Sequence, residues 1–119
     1  ISKSGGIATY RGLVKFTKNS QGSKSTVECE SLMLDNESVS DTVPAIIIDN
    51  NDVDLGHEAK IGRIDDDKIF YLMSRGISEQ EAKSMLVRGF AEPIAKELPL
   101  EYAVEMNNLI NLELEGSIG

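Results

Sequence analysis

The amino-acid sequence predicts a β-solenoid over residues 1–62, followed by a small α-helical domain over residues 63–119. In the first part, short β-rich stretches are separated by polar turns, with no helical stretch between them, a pattern that also fits a sandwich or a barrel. A continuously apolar run at residues 45–48 and corners rich in Asn, Asp and Gly favour the solenoid. From Asp65 onward, apolar residues recur with a helical period instead.

Five β-rich stretches make up the first part. They cover residues 9–16, 26–34, 45–48, 53–55 and 57–61. The last two are expected to be separate strands because Gly56 lies between them. In the second stretch the residues alternate, which places Val27, Cys29, Ser31 and Met33 on one side and Glu28, Glu30, Leu32 and Leu34 on the other.

Capping residues mark the ends of the first two expected helices. The acidic residues 65–67 suit a helix N-terminus, where the helix dipole favours negative charge. Gly76 suits the position just after a helix C-terminus. Ser78 and Glu81 have the spacing of a capping box, in which each side chain bonds the backbone amide of the other.

Glycine and proline shape the rest of the helical part. Gly89 and Pro93 are expected to weaken or bend the second helix, Pro99 to open a third, and Gly116 to end it. Three short amphipathic helices bury each other's apolar stripes only in part. We therefore expect some of this surface to face either the β part or another protein.

Composition excludes several classes of function. With 20 acidic against 12 basic residues the net charge is −8, so the Lys/Arg excess that tracks nucleic-acid phosphates is absent. No apolar run approaches the roughly 18 residues that span a membrane. Cys29 is the only cysteine, so no intrachain disulfide can form, and a reducing cytoplasm is the expected location. The chain starts without Met or a signal-like apolar core, which indicates a fragment of a longer protein.

Cys29 and His57 are the only soft or borderline metal ligands in the sequence. Each is next to a carboxylate, and thiolate, imidazole and carboxylate together can ligate iron or zinc. There is no CxxC or HExxH pattern, so the residues alone favour a buried, hydrophobe-like Cys29 and a hydrogen-bonded His57 in a turn. An iron–sulfur cluster usually takes four thiolates. Further ligands would therefore have to come from another subunit, from upstream sequence, or from carboxylate and imidazole groups.

No enzyme active site is visible in the sequence. Residues 22–25 (GSKS) lack the glycine spacing and the following helix of a phosphate-binding loop. A serine nucleophile would need a nearby histidine and a strained turn, and neither can be identified. We therefore expect a non-enzymatic protein.

Seven segments, which together span nearly the whole chain, resemble a known family. They are residues 9–14 (TYRGLV), 29–34 (CESLML), 41–44 (DTVP), 57–62 (HEAKIG), 69–78 (IFYLMSRGIS), 98–105 (LPLEYAVE) and 112–119 (LELEGSIG). In this order they are similar to the SufB/SufD family of iron–sulfur cluster assembly proteins, and the last segment is similar to the SufB side, whose C-terminal region the chain resembles.

The resemblance implies a fold and a set of partners. It implies a right-handed parallel β-helix followed by a helical domain. It also implies a scaffold that assembles nascent clusters within a complex of SufB, SufD and the ATPase SufC. A SufC-type ATPase would bind the C-terminal helices, a SufD-type subunit or a second copy would pair with the β edge, and sulfur donor proteins would deliver sulfur.

The resemblance also implies site residues. Cys29 and Glu58 match a cysteine and an acidic residue implicated at the assembly site of SufB-like proteins, and His57 matches a functional histidine of the SufD branch. These three residues become the candidate ligands for metal and for a transient iron–sulfur cluster, shared with a partner or with the part of the protein that this chain lacks. The alternative is a purely structural module that dimerises through its β part and binds an ATPase through its helices.

Overall fold

The structure is a computed structural model that describes residues 1–115. The elements are β1 (Ile7–Phe16), β2 (Ser23–Met33), β3 (Val39–Ile48), β4 (Val53–Arg63), α1 (Asp66–Ser74), α2 (Glu79–Glu97) and α3 (Leu100–Glu115). They form two compact units, a β unit over Ile1–Arg63 and a helical unit that begins at Ile64. The expected role of Gly116 in ending the third helix lies outside the described residues.

The four strands form two separate two-stranded parallel sheets. β1 pairs with β3, starting at Ile7 opposite Val39, and β2 pairs with β4, starting at Ser23 opposite Val53. The prediction of a β-solenoid, or right-handed parallel β-helix, is therefore wrong. A solenoid stacks at least about three repeats into continuous sheets. Among the described strands each has only one partner, so neither sheet extends beyond a single pair.

The strands are also longer than the sequence predicted. The four strands have 10, 11, 10 and 11 residues. Gly56 does not break β4, because it pairs with Thr26 in the middle of the sheet. Pro44 lies within β3, opposite Gly12. Each strand of a two-stranded sheet has one free edge, where a residue without an N–H is tolerated.

One corner of the β unit is held by a carboxylate. Asp35, after β2, accepts hydrogen bonds from the backbone amides of Ser4, Glu37 and Ser38, and from the Ser38 hydroxyl at 3.0 Å. Because Ser4 is 31 residues away in sequence, this carboxylate ties the N-terminal segment to the turn between β2 and β3.

The caps predicted at residues 65–67, at Gly76 and at the Ser78 side chain are confirmed, whereas the return bond from the Glu81 side chain to the Ser78 amide stays a prediction. Asp65 caps α1 by accepting from the amides of Asp67 and Lys68 at 3.0 and 3.3 Å. Ser78 caps α2 by accepting from the amide of Glu81 at 3.2 Å. Gly76, between these helices, has a φ of 87°, the left-handed conformation that glycine adopts without strain.

Pro93 does not end α2, which continues to Glu97. Among the described residues, this unit buries few apolar side chains, namely those of Ile69, Ala82, Val87 and Ala91. Many large apolar side chains of its three helices are exposed, including those of Phe70, Tyr71, Ile94, Leu100, Tyr102, Leu109 and Leu112. No helix among residues 1–115 has both the length and the apolar character needed to cross a bilayer.

Candidate site around Cys29

Cys29 lies in the middle of β2, half-buried and opposite Ala59 of β4. Successive side chains of a strand point to opposite faces. The side chains of Val27 and Ser31 therefore share the inner face with Cys29, and those of Glu28 and Glu30 point outward into solvent. The alternation predicted from the sequence is confirmed.

The sulfur of Cys29 has a hydrogen-bond partner on the other sheet. The Thr42 hydroxyl, on β3, lies 3.7 Å from the Cys29 Sγ and donates to it, a distance suited to the large radius of sulfur. Thr42 is half-buried and pairs with Tyr10 of β1. This contact joins the inner faces of the two sheets.

His57 shares the inner face of the β2–β4 sheet with Cys29. It lies opposite Val27, two positions along the sheet from the pairing of Cys29 with Ala59. From the spacing of paired strands and the rise per residue, the Cα atoms of Cys29 and His57 are roughly 8 Å apart. The two ligand-type side chains are therefore neighbours on one surface, and the structure gives no hydrogen bond between them among the described residues.

The space between the sheets is narrow. His57 lines a cleft that the structure leaves between the inner faces. The other lining residues are Tyr10, Gly12, Val14, Val27, Pro44, Ala45, Ile46 and Leu55. Its free volume is about 10 Å³. A void of that size holds at most one water molecule, so an iron–sulfur cluster does not fit into the cleft in this conformation.

Glu58 faces away from Cys29 and His57. It lies opposite Glu28 on the outer face of the β2–β4 sheet, with 58% of its side chain exposed. The ammonium group of Lys60 lies 3.3 Å from Glu58 and 3.6 Å from Glu30. The hydrogen bond and charge of Glu58, followed by the charge of Glu30, raise the pKa of Lys60 above its usual value. The carboxylate of Glu58 is thus paired with a surface cation.

The structure brings together two of the three predicted site residues and adds a third group. Cys29 and His57 share a face, Glu58 lies on the opposite face, and Thr42 contacts the sulfur of Cys29 from the other sheet. Sequence analysis missed Thr42 because it placed the start of that strand at residue 45. A longer strand could have been predicted from Ser40 and Thr42, two polar residues at alternate positions ahead of residue 45, which are half-buried between exposed neighbours.

The donors on this face do not amount to a complete metal site. No group of three or more His, Cys, Asp or Glu side chains among residues 1–115 is arranged to hold a metal ion. One thiolate and one imidazole leave positions of a four-ligand cluster unfilled. That Cys29, Glu58 and His57 bind metal or a cluster stays a prediction.

Comparison with known proteins gives a consistent result. Residues 1–90 match the family model described as "SUF system FeS cluster assembly, SufBD core domain". Over all 119 residues the chain is 56% identical to the iron-sulfur cluster assembly protein SufB of Bacillus subtilis. It is equally similar to iron-sulfur cluster assembly SufBD family proteins of Staphylococcus epidermidis and Staphylococcus aureus. The chain spans 26% of the length of each of these relatives.

Proposed function

This chain belongs to the SufBD family of SUF-system iron–sulfur cluster assembly proteins, and on that premise we propose that it forms part of a non-enzymatic scaffold on which nascent clusters are built. The observation that carries the proposal is the Cys29 thiol, half-buried on an inner face with a hydroxyl donor at its sulfur and His57 on the same face. A thiolate is the protein ligand that iron–sulfur clusters take most often. In this proposal the cluster is cargo rather than a resident cofactor.

The ligand count supports a shared assembly site. This face offers one thiolate and one imidazole, so the remaining ligands come from another polypeptide or from other parts of the full-length protein. The cleft that His57 lines has a free volume of about 10 Å³, so the two sheets must separate before a cluster fits between them. In our proposal, motion driven by an ATPase partner supplies that opening.

Two kinds of surface support partner binding. The exposed apolar residues of the helical unit, such as Phe70 on α1 and Leu100 on α3, suit a SufC-type ATPase. The free edges of the two-stranded sheets suit a SufD-type subunit or a second copy of this chain. Sulfur donor proteins would deliver sulfur to this assembly in the cytoplasm.

One observation favours the rival function, a purely structural interaction module. Glu58 lies on the outer face and is paired with Lys60, so the three predicted ligands do not converge. Under this second proposal the β unit only associates with another subunit and the helices only bind the ATPase.

Replacement of the thiol separates the two functions. Cys29→Ala, introduced into the full-length protein within its complex, is expected to abolish cluster formation, because the alanine cannot ligate iron or accept sulfur. The measurement is anaerobic reconstitution with iron and sulfide, followed by the visible absorbance of the cluster. Ser31→Ala is the matched control, since Ser31 lies on the same face of the same strand and is also half-buried.

Circular dichroism and co-purification of the ATPase check that both variants keep the fold and the partner contact. Normal reconstitution by Cys29→Ala would refute the scaffold role of the thiol and leave the interaction module as the function.

A further inference from the structure

We propose that a polar groove between α2 and α3 binds a small oxyanion, a carboxylate or a phosphate, through the guanidinium group of Arg88. The groove lies within the helical unit and contains none of the residues of the candidate site around Cys29. The inference therefore goes beyond the proposed scaffold function and does not depend on it.

Arg88 differs from the other basic residues of the helical unit because it has no partner. The others each contact an acceptor three or four residues away, at 2.6–3.6 Å: they are Lys68, Arg75, Lys83 and Lys96. Arg88 is half-buried and forms no hydrogen bond or ion pair with any residue that the structure describes. Its guanidinium group carries five N–H donors, and they are available to a ligand.

The groove offers space for such a ligand. Its free volume is about 380 Å³, which leaves room for a small anion together with several water molecules at roughly 30 Å³ each. Of the residues that line it, only Leu114 is apolar. The polar ones are Ser78, Gln80, Glu81, Ser84, Arg88 and Asn111.

Two helices place further donors beside Arg88. Ser84 lies one turn before Arg88 on the same face of α2. The Ser84 hydroxyl donates to Oδ1 of Asn111, on α3, at 2.9 Å. This bond uses the oxygen of the Asn111 amide, so its NH₂ group is left to donate. Guanidinium and amide N–H groups directed into one space suit an oxyanion, which arginine binds with two parallel hydrogen bonds.

One lining group opposes an anion. Glu81 also faces the groove, and the structure gives it no ion pair with Arg88 among the described residues. Glu81 is exposed, so water and salt screen its repulsion of an anion, whereas the attraction of the half-buried Arg88 is screened less. The balance favours a small anion of low charge over a large polyanion.

Equilibrium dialysis of the full-length protein with radiolabelled inorganic phosphate, at physiological ionic strength, tests the site. We expect Arg88→Gln to weaken one phosphate site of the wild type at least roughly tenfold, the size of a hydrogen bond to a charged group. Arg88→Lys keeps the charge without the planar fork, and its affinity is expected to lie between the two.

Asn111→Asp gives a second, independent variant. It keeps the acceptor for the Ser84 hydroxyl, removes the NH₂ donor and adds a carboxylate to the groove. It is therefore expected to lose the same phosphate site. Circular dichroism checks that the variants keep their helices.

Lys96→Gln is the matched control, because it removes one positive charge from the same helix at a side chain that pairs with Glu92. It is expected to leave phosphate binding unchanged. Competition with acetate distinguishes the two ligands: displacement of phosphate assigns the site to carboxylates, and persistence of phosphate assigns it to phosphate.

Equal phosphate binding by the wild type, Arg88→Gln and Asn111→Asp would overturn the inference. An equal loss in Lys96→Gln would also overturn it, because that result indicates an effect of net charge alone. None of these substitutions alters Cys29 or His57, so either result leaves the scaffold proposal standing.

Discussion

Each side chain of the candidate site owes its neighbours to the two-residue period of a strand. His57 and Glu58 are adjacent in sequence, yet one faces the other sheet and the other faces solvent. Cys29 and His57 are distant in sequence, yet they share a face because β2 and β4 pair in parallel register. The pairing of strands therefore determines which side chains can act together at this site. His57 and Glu58 belong to one sequence motif, but they lie on opposite faces of the sheet.

Asp35 is a second residue whose environment has a measurable consequence. Partial desolvation opposes the shift. Even so, the hydrogen bonds from the Ser38 side chain and the amides of Ser38, Glu37 and Ser4 hold the pKa of Asp35 below its ordinary value of 3.8. A carboxyl whose pKa is lower in the folded than in the unfolded state stabilises the fold at neutral pH. That contribution is lost as the pH falls through the lowered pKa.

Asp35→Asn is expected to lower the Tm of the β unit at pH 7, because the amide is a weaker acceptor for the four hydrogen bonds. The difference from the wild type should shrink as the pH falls below 3.8 and through the lowered pKa of Asp35, where the wild-type carboxyl also becomes protonated. Thermal unfolding followed by circular dichroism at several pH values measures both effects. Asp41→Asn, an exposed substitution in β3, is the control, and a pH-independent difference for Asp35→Asn would contradict the expectation.

At the scale of the elements, interactions between residues close in sequence predicted the ends of the helices, whereas pairing between distant residues determines the extent of the strands. Asp65, Gly76 and Ser78 mark helix ends through bonds to residues two to four positions away, so the sequence alone predicts them. The extent of β3 and β4 depends on partners about 30 residues away, as in the pairing of Gly56 with Thr26. Gly56 was therefore interpreted as a break where β4 is continuous, and the strand that is β3 was predicted to start only at residue 45.

Two glycines of the helical unit should respond to alanine in opposite ways. Gly89 lies exposed inside α2, and a Cβ added there would meet no atom within 4 Å. Gly89→Ala is therefore expected to raise the free energy of unfolding by about 1 kcal/mol, the difference in helix propensity. Gly76 has a φ of 87°. Gly76→Ala is expected to lower the free energy of unfolding by about 1 kcal/mol, because a Cβ is strained in that conformation.

Urea unfolding followed by the far-ultraviolet signal of the helices measures both free energies. The two variants are controls for each other, since each adds one methyl group to an exposed position. Destabilisation by Gly89→Ala would mean that α2 is not helical at this residue in solution.

The whole molecule leaves much apolar surface uncovered. On the outer face of the β1–β3 sheet, Ile7 and Leu13 are 74% and 63% exposed, and Val39, Val43 and Ile47 are also exposed. An isolated two-stranded sheet is marginally stable, and its free edges accept further strands.

The fold class was mispredicted at this scale, because short apolar stretches with polar corners are common to solenoids and to paired strands. Only the number of strands that stack distinguishes them, and local sequence does not encode that number.

Two substitutions test whether the β unit and the helical unit bind different partners. Ile47→Lys places a charge on the exposed face of β3 and is expected to weaken association with a SufD-type subunit or a second copy roughly tenfold. It should leave ATPase binding unchanged. Leu100→Lys, at a residue of α3 that is 76% exposed, is expected to do the reverse. Size-exclusion chromatography with light scattering measures subunit association, and titration calorimetry measures ATPase binding.

The crossed design makes each variant the control for the other, because both replace an exposed aliphatic side chain with lysine in a chain of net charge −8. A general effect of the added charge would weaken both associations in both variants. Loss of ATPase binding in Ile47→Lys together with intact subunit association would contradict the assignment of partners to units. Loss of one association in each variant requires two separate surfaces, since one shared surface would respond to either substitution.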